Sequence, residues 1–253
     1  MKVALIGRGR VATHLIEAVR QAGHEVVSVN SRTLEELPER ADIYVIAVKD
    51  SALQEVARQA TKGRDDQLFV HTAGSMALGV FEGCCRHYGV LYPMQTFSKE
   101  QPVDFREIPL FLEASDAETL IKIRSFAESL SAYVYELSTA DRRYLHLAAV
   151  FACNFVNHCY ALAADVLAQK GLPFDVLLPL IDETARKVHQ LHPIDAQTGP
   201  AIRDDQNVIR SQSALLQGTP QAIYDLLSKS IHEHAIEQNN DQLRLTEDTC
   251  HRV

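Results

Sequence analysis

Lys2–Ile6 is an apolar run, and the hexapeptide after it, Gly7-Arg8-Gly9-Arg10-Val11-Ala12, leaves few backbone paths open. Its spacing is G-x-G-x-x-A, set between a strand pattern and an amphipathic stretch that runs to Ala22 and is closed by Gly23. Gly7 permits a tight turn, Gly9 lets the backbone approach a pyrophosphate, and Ala12 allows close packing of helix on strand. The start of the helix, at Arg10 and Val11, then offers free N–H groups to an anion. Glu25–Val29 reads as the second strand. A site for NAD wants an acidic residue at the end of that strand. Here the chain reads Asn30-Ser31-Arg32-Thr33, and a guanidinium with neighbouring hydroxyls suits a 2′-phosphate instead. The expected cofactor is therefore NADP(H).

Beyond this loop, strand and helix patterns alternate. Ile43–Val48 is wholly apolar, as a central strand would be. It ends at Val48-Lys49 beside the expected cofactor, and Asp50 opens a helix to about Gln59. Leu68–His71, Val90–Tyr92, Pro109–Leu112 and Val134–Leu137 read as further strands, with a helix over Asp116–Ser129. Such alternation predicts a doubly wound parallel sheet. The link between the second and third strands is too short for a full helix. After Leu137 only helical patterns remain, over Ala140–Gln169, Phe174–Leu191, Gln206–Leu216 and Pro220–Gln238. Asn239–Val253 is polar and expected to fray. The fold class is α/β: a Rossmann-like domain over residues 1–138, followed by an all-α domain over residues 139–253 for substrate binding and dimerisation.

Charge and cysteine usage narrow the partners. The 253 residues carry a formal charge of −8 with no basic block, which argues against duplex nucleic acid or an anionic membrane surface. Five cysteines form no C-x-x-C pair, so they read as reduced thiols, with Cys84 and Cys85 as neighbours on a helix. No signal-peptide pattern is present, and a cytoplasmic setting is expected. Leu145–Ala164 has no formal charge and is long enough to span a bilayer. At 100° per residue, however, His146, Asn154, Asn157, His158 and Asp165 fall within about 120° of one face. That predicts a buried helix with a polar stripe rather than a lipid-facing span.

Candidate substrate residues gather at strand ends, where open α/β sheets bind ligands. They are His71, Gly74 and Ser75 after the fourth strand and Gln95 and Thr96 after the fifth. Hydride transfer to C=O or C=N also needs a proton for the heteroatom, and an imidazole is suited to supply it. His146 is the expected catalytic acid or base, and Asn154, roughly 12 Å further along the helix, an orienting amide. Arg203, in Thr198-Gly199-Pro200-Ala201-Ile202-Arg203-Asp204-Asp205, is a candidate clamp for a substrate carboxylate. The His189/His192 and His232/His234 pairs lack the spacing and companions of a zinc set, so no metal is expected.

The elements V-A-L-I-G-R-G-R-V-A, A-V-K-D, H-T-A-G-S, Y-P-M-Q-T-F-S and T-G-P-A-I-R-D-D span nearly the whole chain. Together they resemble a bacterial family of NADP oxidoreductases that joins a domain of the coenzyme-F420-dependent type to the helical domain DUF2520. Wider relatives are pyrroline-5-carboxylate reductase and the 6-phosphogluconate, 3-hydroxyisobutyrate and prephenate dehydrogenases. The resemblance implies redox chemistry on a small acid and a homodimer built through the helical half. The sequence departs from those relatives at the chemistry. The hydroxyacid dehydrogenases carry a Lys and an Asn on the first long helix, where this chain has His146 and Asn154. Tyr92 stands where prephenate dehydrogenases have the His of H-P-M. A non-catalytic NADP(H)-binding sensor or scaffold is the alternative reading.

Overall fold

The computed structural model describes the backbone of residues 1–250 and side chains to Gln238. The first half begins β1 (Lys2–Ile6), α1 (Arg10–Gln21), β2 (Glu25–Val29), β3 (Ile43–Ile46), α2 (Asp50–Ala60), β4 (Leu68–His71), β5 (His87–Pro93) and β6 (Leu110–Ala114). It continues with α3 (Ala117–Leu130), β7 (Val134–Glu136) and α4 (Thr139–Ala149). The seven strands form one sheet in the order β2-β1-β3-β4-β5-β6-β7. The order reverses between β1 and β3, which opens a crevice at the carboxyl ends of the strands.

Strands β1 to β5 pair in parallel, as expected from the alternation. β6 runs antiparallel to β5, with Leu91 opposite Leu112, and β7 is parallel to β6. The reason lies in residues 94–109, which hold only a short 3₁₀ turn at Phe105–Glu107 and no crossover helix of the kind a parallel return requires. Residues 30–42 likewise carry no helix.

The core lies on both faces of the sheet. Val3, Leu5, Val45 and Val70 pack with Leu15 and Val19 of α1 and with Ile123 and Phe126 of α3. Ala4, Ile6, Tyr44, Ile46 and Phe69 pack with Leu53 and Ala57 of α2 and with Phe81. Burial on both sides explains why the central strands read as unbroken apolar runs.

The chain divides into two compact units, Met1–Val156 and a second from Asn157 onward. Helices begin at Thr139, yet the first unit runs on to Val156 because α4 is fastened to the sheet. The second unit contains most of α5 (Val156–Ala168), then α6 (Leu178–Lys187), α7 (Gln206–Ser213) and α8 (Gly218–Cys250). Fraying was expected from Asn239, but α8 continues through that stretch to Cys250; residues 251–253 lie outside the described residues.

Between α4 and α5, Val150–Phe155 forms a π turn. The whole stretch Thr139–Ala168 is long and apolar enough to cross a membrane by length and composition. A π turn holds more residues than an α turn, so the even 100° step behind the expected polar stripe does not hold through residues 150–155.

Candidate functional site

The cavity at the carboxyl ends of β1 to β3 is built by the glycine loop. Gly7 adopts φ +137°, and a Cβ on it would lie 2.2 Å from the carbonyl oxygen of Ala47; only glycine lets the loop cross the end of β3 so closely. Its N–H is held by Val29 O at 3.0 Å. Gly9 caps α1 without a side chain, and the first turn of α1 carries no acid, so the positive helix end faces the cavity uncompensated. Ala12 is fully buried beneath it. At the end of β2, Asn30 Oδ1 accepts the N–H of Arg32 at 3.1 Å. That Asx turn presents the exposed Arg32 side chain.

The cavity has a volume of about 920 Å³ and is lined by Gly9, Arg10, Val11, Asn30, Ser31, Arg32, Val48 and Lys49, all expected from the motif reading. Thr72, from the expected H-T-A-G-S loop, lines it as well, and so do Arg8 and Lys99, which were not among the candidate residues. Arg8 sits inside the glycine motif and was legible there. Thr72 follows β4 within the H-T-A-G-S element, and Lys99 arrives from the segment after β5 with no local signal. Arg8, Arg10, Arg32, Lys49 and Lys99 make five cations on the cavity wall, with no carboxylate among its lining residues. Such a wall fits a polyanion, and with the helix end and the absent ribose-binding acid it fits NADP(H).

Next to this cavity the loop after β4 carries a second cluster. His71 is fully buried. Its Nδ1 accepts the N–H of Ala73 at 3.2 Å, its Nε2 lies 3.3 Å from Ala77 O, and its ring stacks on Phe81. Burial, then the Arg142 cation, lowers its pKa to about 4, so the ring is neutral and Nε2–H is the donor. His71 thus braces its own loop with both nitrogens. Ser75 donates its hydroxyl to the Asp50 carboxylate at the start of α2, and its carbonyl accepts from Arg143 Nε at 3.4 Å. Gln95 and Thr96 are exposed, and Gln95 Oε1 takes the N–H of Thr96.

Gly74 lies at the centre. A Cβ there would stand 2.8 Å from both His146 Nδ1 and Tyr92 Cζ, so the loop passes directly beneath two rings. Tyr92 Oη is 3.0 Å from His146 Nδ1 and 3.2 Å from Met94 Sδ. Burial pushes the Tyr92 phenol up, so the hydroxyl keeps its one hydrogen, which it donates to Met94 Sδ, and its oxygen stands against Nδ1 of His146.

His146 is held in place from one turn earlier. Arg142 has no exposed surface; Nη1 donates to Glu113 Oε2 at 2.6 Å and Nη2 to Met76 O at 2.6 Å. Thr139 donates its N–H and hydroxyl to the same carboxylate, at 2.9 and 2.6 Å, and accepts the N–H of Leu78 at 3.1 Å. These bonds stitch the first turn of α4 to β6 and to the loop after β4. Residues four apart share a helix face, so the clasp at Arg142 sets His146 above Gly74. Asn154 sits in the π turn and is exposed. Arg203 belongs to the second unit and is exposed, in a turn between Gly199 at φ +111° and Asp204 at φ +53°.

The family model described as NADP oxidoreductase, coenzyme F420-dependent, matches residues 2–61, and the domain of unknown function DUF2520 matches residues 108–231. Among solved structures, a Bacteroides fragilis protein provisionally named an NADP oxidoreductase is 47% identical, with a TM-score of 0.86 over 92% of this chain and 98% of its own. An imine reductase of Myxococcus stipitatus, solved with NADP+, is 16% identical, with a TM-score of 0.62 over 95% of each chain. A 1-pyrroline-5-carboxylate reductase of Streptococcus pyogenes is 15% identical, with a TM-score of 0.61 over 92% of this chain and 98% of its own. The last two likenesses concern the fold alone. No curated protein matches the chain.

Proposed function

Because this chain belongs to the family of NADP oxidoreductases that joins an F420-dependent-type domain to DUF2520, we propose that its reaction is hydride transfer between NADP(H) and a small anionic carbonyl, imine or hydroxyacid compound. The cofactor supplies or receives the hydride. The chain's residues bind it, orient the reacting group and move the proton. One observation carries the reading: Thr72 lines the cofactor cavity, and Gly74, two residues on, lies directly beneath the His146 ring. In this proposal His146 is the proton donor or acceptor, its Nε2 directed to the heteroatom while Tyr92 occupies Nδ1. The exposed cations Lys49 and Arg143 favour an anionic substrate. The test is NADPH oxidation followed against a panel of 2-oxo acids, cyclic imines and their carboxylated analogues. Turnover of an anionic member supports the proposal, and no stimulation by any member overturns it.

The same site predicts cofactor choice. NADPH is expected to bind at least tenfold more tightly than NADH, a difference of about 1.4 kcal/mol. Arg32→Ala should remove most of that preference. Calorimetry with both nucleotides measures it, and equal affinities in the unmodified protein would contradict it.

We further propose that the helical part, residues 139–253, pairs with a second copy of the chain. Among the described residues from Asn157 on, Ala201 is the only buried apolar one, while Leu180, Leu215 and Leu226 are 63%, 77% and 67% exposed. A helical unit without a buried core is not stable in water by itself, and two-fold pairing is the common way to cover such a face. Light scattering at micromolar concentration should give twice the chain mass; a monomeric mass would refute the pairing. The free thiols of Cys84, Cys85, Cys153 and Cys159 fit a reducing, cytoplasmic setting.

A further inference from the structure

Lys99 stands apart from the other cations of the cofactor cavity. Arg8, Arg10, Arg32 and Lys49 sit in the β1–α1 loop, at the start of α1 or at the ends of β2 and β3, whereas Lys99 comes from the segment between β5 and β6. The backbone just before it is anchored. Ser98 O lies 2.6 Å from His14 Nε2 on α1, and Phe97 is buried with its ring 5.1 Å from that of His14 and 6.3 Å from that of Phe105. The segment carrying Lys99 is therefore latched to the same helix whose N-terminus faces the cofactor.

Its position around the cavity can be fixed further. Arg8 and Lys99 also line an adjoining cavity of about 470 Å³, bounded by Thr13 and Arg20 of α1 and by Ser28 of β2. Residues common to both cavities stand on the wall between them. That wall is on the α1–β2 side of the cofactor cavity, where β2 ends in Asn30-Ser31-Arg32. Among the described residues, Arg8, Arg32 and Lys99 form no ion pair.

We propose that Lys99 is a ligand of the 2′-phosphate of NADP(H), supplied by the loop after β5 and held by the His14–Ser98 contact. The phosphate is gripped from three separate chain segments, by Arg8, Arg32 and Lys99. The pyrophosphate is left to the helix N-terminus and Arg10. One ammonium–phosphate contact is a charge-assisted hydrogen bond, and its loss is read directly in binding.

Lys99 is exposed, so its replacement leaves the fold intact. Calorimetry of Lys99→Ala with NADPH, 2′,5′-ADP and NADH tests the assignment without any substrate. The Kd for NADPH and for 2′,5′-ADP should rise about tenfold, that for NADH should stay constant, and Lys99→Arg should restore most of the affinity. An equal loss for NADPH and NADH would overturn the assignment by placing Lys99 on the pyrophosphate. Unchanged affinities for all three would overturn the contact itself.

Discussion

With a substrate that turns over, His146→Ala is expected to lower kcat by about 10²–10⁴-fold and to leave the Kd for NADPH unchanged. His146 is not among the residues lining the cofactor cavity, so binding and proton transfer should separate. The ring is half-buried and aimed by two contacts, the Tyr92 hydroxyl at Nδ1 and the Gly74 backbone beneath it. Tyr92→Phe keeps the buried ring and removes the hydroxyl. It should cost less, about tenfold in kcat, because the imidazole remains but loses the hydroxyl that holds Nδ1 and orients the ring. Stopped-flow turnover and equilibrium titration of NADPH on the same variants make the comparison. If NADPH affinity falls in step with kcat, His146 belongs to the cofactor floor. An unchanged kcat would place the proton source elsewhere.

Arg142→Met is expected to destabilise the first unit by about 3 kcal/mol at neutral pH, the lower end of the cost of stripping one partner from a buried ion pair. The lower end applies because Glu113 keeps 19% of its side chain in solvent and because Arg142 Nε is already buried without a partner. The pH dependence identifies the charge. Burial alone would raise the Glu113 carboxyl, but bonds from Thr139 and Arg142 outweigh it and hold the group below the ordinary carboxylate value. A carboxyl lowered in the folded state contributes fully above its unfolded pKa, and that contribution is lost as pH falls through the folded value. In Arg142→Met the carboxyl keeps only Thr139, so it protonates at higher pH. The stability gap between variant and parent should therefore narrow on acidification. Urea midpoints at pH 7 and pH 4 measure it. A gap that stays constant would assign the cost to lost packing of the arginine stem. Because the same guanidinium holds Met76 O, the variant should also lose turnover by letting α4 drift over Gly74.

The parts of this protein written in local runs of residues were legible without coordinates. The glycine loop is one continuous hexapeptide whose demands on φ and on close approach fall at adjacent positions, and Arg32 follows the second strand directly. Strand and helix periods come from neighbouring side chains, so the parallel β1–β5 sheet and the helices after Glu136 could be read from pattern. Period alone does not say how a strand pairs: no helical pattern was read between the fifth and sixth strands, yet that β6 returns antiparallel beside β5 shows only in the fold. The polar-stripe reading assumed one turn geometry throughout and met a π turn at Val150–Phe155.

The chemistry of the second cluster was decided by tertiary structure. Tyr92 meets His146 across 54 positions of sequence and Arg142 meets Glu113 across 29; no spacing rule spans such distances, because sheet order, not chain order, sets those neighbours. His71 reads in sequence as a polar residue at a strand end. In the fold it is buried against Phe81, with both nitrogens engaged by the loop it braces. Lys99 carries no motif, and only the latch between His14 and Ser98 brings it to the cofactor cavity. The sequence by itself determined which cofactor the chain holds, since a phosphate loop is a short-range backbone shape. Which side chains stand around the bound cofactor was left to the packing of α4 and of the loops after β4 and β5, whose contacts join parts of the chain that are distant in sequence.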